Sequence, residues 1–171
     1  FRTSSGTLLN YLYPISNNYL RVGYNLNSNT NYYTSFSLGY NTYGSVGSDM
    51  SINDLYKWDL DYLGVNIDGN IILFKYRDLS LHLSAGFSLD YMTRGLQTIN
   101  NQVFKIRNEG EFNPYAFFFK SGLAISHPVS KFLNINLQYR FIHSFEMNND
   151  VSLSRMFIEN HSFGIGFNFK I

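Results

Sequence analysis

The feature that most constrains the fold is a nearly perfect alternation of apolar and polar residues. From Leu79 to Thr93 the odd positions are leucine, alanine, phenylalanine, tyrosine or threonine, and the even positions are mostly serine, glycine, histidine and aspartate. The same period runs through Leu133 to Phe145 and through Phe163 to Ile171. A half-buried β-strand has this period, whereas an amphipathic helix repeats every ~3.6 residues. The chain is therefore predicted to be all-β.

The polar face of these strands is made mostly of small residues, which argues against a water-soluble sandwich. Glycine, serine and asparagine dominate it, and charged residues are only 15% of the chain, against about 25% in ordinary soluble domains. The other face is large and rich in aromatics, which reach 18% of the residues. Small polar side chains suit a crowded interior and a wide apolar face suits lipid, as in a transmembrane β-barrel. A soluble lipocalin-like barrel, the alternative, would turn Leu81, Leu83, Phe163 and Ile165 inward.

The segmentation predicts a closed antiparallel up-and-down transmembrane β-barrel of about eight strands, as a single domain over residues 1–171. The strands are predicted at roughly 4–13, 19–26, 31–44, 57–76, 79–94, 111–127, 132–147 and 155–171. Short turns at Arg77–Asp78 and Pro128–Lys131 alternate with longer polar loops at 45–56, 95–110 and 148–154. Outer-membrane barrels have short periplasmic turns, so an even strand number puts both termini on the periplasmic side.

Two places interrupt the alternation. Residues 1–18 are the least regular, and their turn at Pro14–Asn18 resembles Pro128–Phe132, which would change the strand count if both turns lay on one side. Inside the fourth strand the apolar phase slips by one at Asp68–Asn70, which predicts a β-bulge there.

Composition excludes several other classes. The 13 basic residues nearly cancel the 12 acidic ones, so no nucleic-acid surface is expected. No apolar run approaches the ~18 residues of a transmembrane helix, and the lack of cysteine excludes disulfide scaffolds and zinc–thiolate sites. His82, His127, His143 and His161 are not spaced as a metal-ligand set, so neither a metal nor a cofactor is expected. The chain begins at Phe1 without a signal peptide and is interpreted as mature or trimmed.

Charged residues on the inward face are predicted to form a charge network in the lumen. Its members are Arg21, Asp90, Lys120, Arg140 and Glu146. An eight-stranded interior is just wide enough for side chains to fill, so packed ion pairs are expected rather than an ion path. A narrow channel is the alternative, and it requires sparse lumenal charges and a file of water. His82 and Ser84 share the lumenal face, where no lipid substrate reaches, so catalysis is not expected there.

The last hairpin is predicted to carry an outward polar cluster of His143, Glu159 and His161. A turn near residues 150–151 sets His143 opposite Glu159 and Phe141 opposite His161. On the same parity these side chains point outward near the outer-leaflet rim, where lipid head groups or a partner protein would contact them.

Aromatic residues near strand ends are predicted to form the two interfacial girdles of a barrel. Trp58, Tyr62, Tyr91 and Tyr115 belong to the outer girdle, and Tyr24 and Tyr76 to the inner one.

These patterns make the chain similar to the small outer-membrane β-barrels of Gram-negative bacteria, above all the eight-stranded porin-like families of Bacteroidota. The stretches that carry the resemblance are Tyr62–Val65, Ile72–Arg77, Leu83–Leu89 and Gly164–Ile171. The last stretch resembles the signal read by the barrel-assembly machinery in Gly166, Phe167, Phe169 and Ile171, although phenylalanine is more usual at the end. The resemblance implies a bacterial outer-membrane location, contact with membrane lipid and lipopolysaccharide, and the assembly machinery as a partner during insertion.

The last hairpin also resembles the outer-membrane lipid A deacylases, which place a histidine, a serine and a glutamate on their last strands, facing the outer leaflet. His143 and Glu159 match, but Phe145 stands where the nucleophilic serine belongs, and Ser144 is predicted to point inward. The expected function is therefore a non-enzymatic structural or accessory role, alone or within a complex of outer-membrane proteins. A lipid A deacylase-like enzyme is the alternative.

Overall fold

The structure is a computed structural model that describes residues 12–15, 17–27, 31–49, 54–106, 114–145 and 157–169. Nine β-strands occupy this part of the chain and form one sheet with antiparallel pairing throughout. They are β1 (Leu12–Pro14), β2 (Tyr19–Asn27), β3 (Tyr32–Asp49), β4 (Asp54–Tyr76), β5 (Leu79–Ile99), β6 (Gln102–Lys105), β7 (Tyr115–Pro128), β8 (Leu133–Ser144) and β9 (Glu159–Phe169). We call the end with the Arg77–Asp78 turn the lower end and the opposite end the upper end. The all-β prediction is confirmed.

β1 and β2 are two parts of one interrupted edge strand. Both pair with β3, with Leu12 opposite Gly47 and Tyr19 opposite Asn41. The Ile15 N–H donates to the Gly44 carbonyl at 3.1 Å, which keeps the intervening chain against β3. The predicted turn at Pro14–Asn18 is therefore wrong. Proline has no backbone N–H to donate, so it is tolerated at a sheet edge where the strand pairing is irregular. Pro14 therefore marks a break within this edge strand.

β6 and β7 form a second interrupted strand beside β5. The chain turns back at Asn100 and Asn101, whose φ angles of 48° and 67° suit a two-residue hairpin. Leu96 then pairs with Lys105, and lower down Tyr91 pairs with Tyr115. The loop predicted at 95–110 thus contains paired strand at both its start and its middle. Likewise β3 and β4 extend into the loop predicted at 45–56.

With each interrupted strand counted once, the described residues supply seven strand positions. Side chains meet across the interior: the ring centroids of Tyr43 and Phe118 lie 5.6 Å apart, and Gln138 on β8 donates to the Tyr19 hydroxyl on β2 at 2.9 Å. The sheet is therefore strongly curled and barrel-like. Its edges, β1/β2 and β9, pair with no further strand in the described ranges. Most of the strand predicted at 4–13 lies outside those ranges.

The outward face of the curled sheet is apolar, as the alternation predicts. Leu38, Val65 and Leu89 are neighbours on β3, β4 and β5 and expose 61%, 60% and 55% of their surface. Leu83, Phe163 and Ile165 are exposed too, so the inward placement that a lipocalin-like barrel requires is wrong. We call this outward set the apolar belt; it comprises Leu20, Val22, Tyr24, Leu26, Phe36, Leu38, Leu63, Val65, Ile67, Ile71, Leu83, Phe87, Leu89, Phe117, Leu123, Ile125, Leu137, Phe163, Ile165, Phe167 and Phe169.

The predicted bulge exists, but not at the predicted residues. Asp68, Gly69 and Asn70 pair regularly with β5, whereas the register between β4 and β5 shifts at Ile72/Phe74 and again at Asp61/Tyr62. At the Ile72/Phe74 shift, Leu73 is the extra residue on β4. The phase slip in the sequence therefore marks a real irregularity that lies slightly nearer the lower end.

The interior has an apolar layer above a polar layer. The upper apolar core consists of Tyr43, Trp58, Leu60, Tyr62, Met92, Ile106, Ala116, Phe118, Ile142 and Ile158. Trp58 and Tyr62 are thus buried, and their prediction as girdle residues is wrong because they share the inward face of β4 with Asn66 and Asp68. Tyr24, Tyr76 and Tyr115 are exposed, and Tyr91 is half-buried.

Candidate functional site

A network of charged and amide side chains fills the polar layer below the upper apolar core. Lys120 donates to the Asn66 side-chain oxygen at 2.6 Å and lies 3.9 Å from the Asp90 carboxylate. Asn41 donates to the same Asp90 oxygen at 3.2 Å. Asp90 is fully buried and Lys120 is 4% exposed. Two members of the predicted charge network, Lys120 and Asp90, thus lie together, with an asparagine on either side of the pair.

Arg21 belongs to the same layer but has a partner that sequence reasoning missed. Its guanidinium forms an ion pair with Asp68 and donates to the Ser37 hydroxyl. Asp68 is inward on β4 because it alternates with the exposed Val65 and Ile67. The alternation of inward and outward residues on β4 could have placed Asp68 in the lumen. The bulge predicted at Asp68–Asn70 obscured this alternation. Of the two acidic residues predicted for the network, Asp90 and Glu146, the second lies outside the described residues.

Arg140 is the least compensated charge of the network. It is half-buried on β8, opposite Ser162, and forms no ion pair or hydrogen bond with the described residues. The charged and phenolic groups that act on it are Arg21, Asp68, Tyr19 and Tyr33. Counting the described members, three cations (Arg21, Lys120, Arg140) face two carboxylates (Asp68, Asp90). Within the described residues, this network therefore has one more cation than it has carboxylates.

Two glycines make room for the carboxylates. A Cβ on Gly64 would overlap the Asp90 carboxylate, and a Cβ on Gly86 would overlap the Asp68 side chain and the Ile67 carbonyl. The glycines face these groups across paired strands, so the carboxylates lie almost against the neighbouring backbone. This close approach explains why small residues occupy the lumenal face at this level.

The outward polar cluster has the register that the sequence predicts. His143 pairs with Glu159 and Phe141 with His161 across β8 and β9. The His143 Nδ1 lies 3.4 Å from the Glu159 carboxylate, and the His161 Nδ1 lies 2.6 Å from the Tyr139 hydroxyl. Each imidazole thus has a protein partner at Nδ1, and both are at least partly exposed on the outer face.

Aromatic rings surround the His143–Glu159 pair. The His143 ring stacks on Phe157 with centroids 5.9 Å apart and meets the Phe145 ring edge-on at 6.5 Å. Ser144 points inward, is fully buried, and accepts a hydrogen bond from the Ile158 N–H at 2.7 Å. Among the described residues, no serine therefore stands where an acyl-transfer nucleophile would be needed.

The lower lumen places His82 against Ser80 rather than Ser84. One imidazole nitrogen lies 2.8 Å from the Ser80 hydroxyl and the other 3.3 Å from the Tyr33 hydroxyl. Ser84 donates instead to the Gly122 carbonyl at 3.3 Å. These hydrogen bonds join side chains within the packed wall, which indicates a structural role for His82 and Ser84.

The residues of the predicted assembly signal follow the strand alternation. Phe167 and Phe169 are exposed on the outer face of β9, and Gly166 directly precedes Phe167 and pairs with Asn136. Ile171 lies outside the described residues.

A cleft of about 480 Å³ lies between the two sheet edges near the upper end, and no pattern in the sequence predicted it. Pro14, Ile15 and Asn18 line one side, and Asn160, Ser162 and Phe163 of β9 line the other. Below it the Tyr19 side chain reaches from β2 to Gly164 on β9, where a Cβ would overlap the phenol. The Tyr19 side chain thus contacts β9 from the lumenal side, where its hydroxyl also accepts a hydrogen bond from Gln138 on β8.

Comparison of the chain with protein-family models, with curated proteins and with solved structures finds no match. The described residues contain no helix long and apolar enough to cross a membrane. They also contain no group of three or more histidine, aspartate or glutamate side chains arranged to hold a metal ion.

Proposed function

We propose that the protein is an integral β-barrel of a bacterial outer membrane, closed by about eight strands, with a lumen filled by side chains and both termini in the periplasm. Its role is structural or accessory, either free-standing or as a subunit of a larger complex of outer-membrane proteins. The observation that carries the proposal is the apolar belt on the outside of a wall whose inside holds buried charges.

This distribution is the reverse of that in a water-soluble domain. Soluble monomers rarely expose a continuous apolar patch larger than a few hundred Å², yet the apolar belt includes residues from β2, β3, β4, β5, β7, β8 and β9. In lipid such a belt is favourable, and the buried Asp90 and Lys120 are shielded by the wall. Membrane lipid and lipopolysaccharide are then the immediate surroundings of the belt. The barrel-assembly machinery is the proposed partner during insertion, through Gly166, Phe167, Phe169 and Ile171.

Two alternative functions have weaker support. A channel needs a continuous water path, but Tyr43, Tyr62 and Phe118 form mutual ring contacts across the upper lumen. An outer-leaflet lipid-modifying enzyme needs a nucleophile beside His143, and a phenylalanine ring occupies that position. The outward polar cluster is better explained as a contact with lipid head groups or a partner protein.

The membrane proposal predicts that the chain folds only with a lipid-like phase. Unfolded protein diluted into micelles of a mild detergent, or into liposomes, is expected to become β-rich, protease-resistant and slower to denature in gel loading buffer without heating. Dilution into the same buffer without detergent is the control, and there we expect aggregation because the apolar belt has no cover. A monodisperse, folded monomer in the control would contradict the proposal.

The non-enzymatic proposal predicts that changes to the outward polar cluster leave lipid A unaltered. We expect His143→Ala and Glu159→Gln to give the same lipid A acylation pattern as the unmodified chain when each is produced in a Gram-negative host, measured by mass spectrometry. A host without the protein is the reference. Deacylated lipid A that appears with the unmodified chain and disappears with either variant would establish the enzyme instead.

A further inference from the structure

We propose that the lumen holds one small inorganic anion, bound between the guanidinium groups of Arg21 and Arg140. The inference goes beyond the proposed structural role, because it assigns a ligand to the charge network inside the wall. Three observations carry it: an unused nitrogen of Arg21, the lack of any described partner for Arg140, and the balance of charges in the network.

Arg21 leaves one nitrogen of its guanidinium without an acceptor. Its Nε donates to the Ser37 hydroxyl, and its Nη2 pairs with the Asp68 carboxylate. The other terminal nitrogen, Nη1, is buried and has no hydrogen-bond partner among the described residues. A buried charged donor without an acceptor is costly and rare in native structures, so an acceptor is expected beside Nη1.

Arg140 has still less compensation. It is half-buried on β8, and the described residues give its guanidinium neither an ion pair nor a hydrogen bond. Among the charged groups that act on it, Arg21 has the largest effect, which is repulsive, and the attraction of Asp68 is smaller. Asp68 is already the ion-pair partner of Arg21, so its single negative charge cannot balance both guanidinium groups.

The side chains around the two arginines bring their strands together and add a further donor. The Gln138 amide on β8 donates to the Tyr19 hydroxyl on β2 at 2.9 Å. Alternate residues of a strand share a face, so Arg140 lies on the same inner face as Gln138, and Arg21 on the same inner face as Tyr19. Ser162, opposite Arg140 on β9, has a buried hydroxyl without a hydrogen-bond partner in the described ranges. Guanidinium and hydroxyl donors suit an anion rather than a cation.

The balance of charges indicates that the anion is monovalent. Asp90 compensates Lys120 and Asp68 compensates Arg21, so Arg140 is the one described cation of the network without a carboxylate. Buried charges are rarely left without an opposite charge. A single negative ion between Arg140 and Arg21 would balance the described network and relieve the repulsion between the two guanidinium groups. Chloride is an ion of this class and is the probe for the test.

Unfolding by urea at constant ionic strength tests the site. Protein folded in a non-ionic detergent is titrated with sodium chloride in place of sodium gluconate, whose bulky anion stands for the chloride-free state. We expect the folding equilibrium constant to rise by up to tenfold for each tenfold increase in chloride above the dissociation constant, because unfolding releases one bound ion. Arg140→Gln is expected to abolish this dependence. Arg140→Lys keeps the charge and is expected to retain the dependence at higher chloride concentrations.

Arg94→Gln is the matched control. The Arg94 side chain is 58% exposed and lies 3.6 Å from Asp61, outside the proposed site, so this variant is expected to keep the full chloride dependence. Equal loss of the dependence in Arg94→Gln and Arg140→Gln would reveal a general salt effect and overturn the proposal. An unmodified chain whose stability is the same in chloride and gluconate would also overturn it.

The position of the ion is a second measurement. Crystals grown with bromide are expected to show an anomalous-scattering peak in contact with both the Arg21 and the Arg140 guanidinium groups. A carboxylate of the protein in that place, with no bromide beside it, would overturn the proposal. Both measurements apply equally to protein that folds without detergent, so failure of the membrane proposal and failure of the anion site are separate results.

Discussion

Val65→Arg is expected to lower the free energy of unfolding by about 2–4 kcal/mol, the range for arginine on the lipid face of a barrel near the bilayer midplane. Val65 lies in the middle of the apolar belt, flanked by Leu38 on β3 and Leu89 on β5, and all three are exposed. In the proposed membrane setting, the guanidinium would have to remain in hydrocarbon or distort the bilayer to reach water. Equilibrium unfolding in urea, from liposomes, measures the change.

Val103→Arg is the matched control. Val103 is also an exposed valine on a strand, but it lies on β6, in the hairpin that extends beyond Tyr91 and Tyr115 at the upper end. Near or beyond the interface the same substitution costs about 0–1 kcal/mol. Equal, small effects at both positions would show that Val65 does not face lipid.

Lys120→Met is expected to destabilise the fold by about 3–5 kcal/mol, the range for removing one partner of a buried ion pair. The change leaves the fully buried Asp90 carboxylate with the Asn41 amide but without its cation, and it leaves the Asn66 oxygen without its donor. The effect is measured as a lower folding yield and a lower urea concentration at the midpoint of unfolding.

Two controls separate charge from packing. Lys57→Met removes the lysine of the Lys57–Asp59 pair, which lies at 2.8 Å but with side chains 44% and 33% exposed, so a change of about 0–1 kcal/mol is expected. Adding Asp90→Asn to Lys120→Met removes the orphaned charge and is expected to restore most of the lost stability. A double variant as unstable as Lys120→Met alone would mean that packing, not charge, dominates at this position.

The presence of strands and the direction of their side chains could be predicted from the sequence. This is because an alternation of apolar and polar residues is a local pattern that indicates a β-strand. The unbroken alternation around Phe87 and Leu89 predicted correctly which side chains face outward. The pairing of His143 with Glu159 was also predictable, since one hairpin turn sets every opposite pair beyond it.

Turns and interior partners were less predictable because they depend on neighbours distant in sequence. Pro14–Asn18 has turn-forming residues, yet β3 is long enough to pair on both sides of it, and the sheet imposes a break instead of a reversal. Asn100 and Asn101 carried a genuine hairpin signal inside a stretch that polarity alone made a loop. The Arg21–Asp68 pair joins β2 to β4 over the inner face of β3, a contact that no spacing in the sequence encodes.

The distribution of the charge network over the wall has a consequence for the order of assembly. Asp90 on β5 and Lys120 on β7 lie on neighbouring paired strands, but Arg21 on β2 and its partner Asp68 on β4 are separated by β3, so this second pair cannot form within a single hairpin. If the protein inserts into a membrane as proposed, a hairpin that carried only Arg21 or only Asp68 would take an unpaired charge into hydrocarbon, which is costly. Insertion one hairpin at a time is then disfavoured, and we expect β2, β3 and β4 to curl together and enter the bilayer as a cooperative unit.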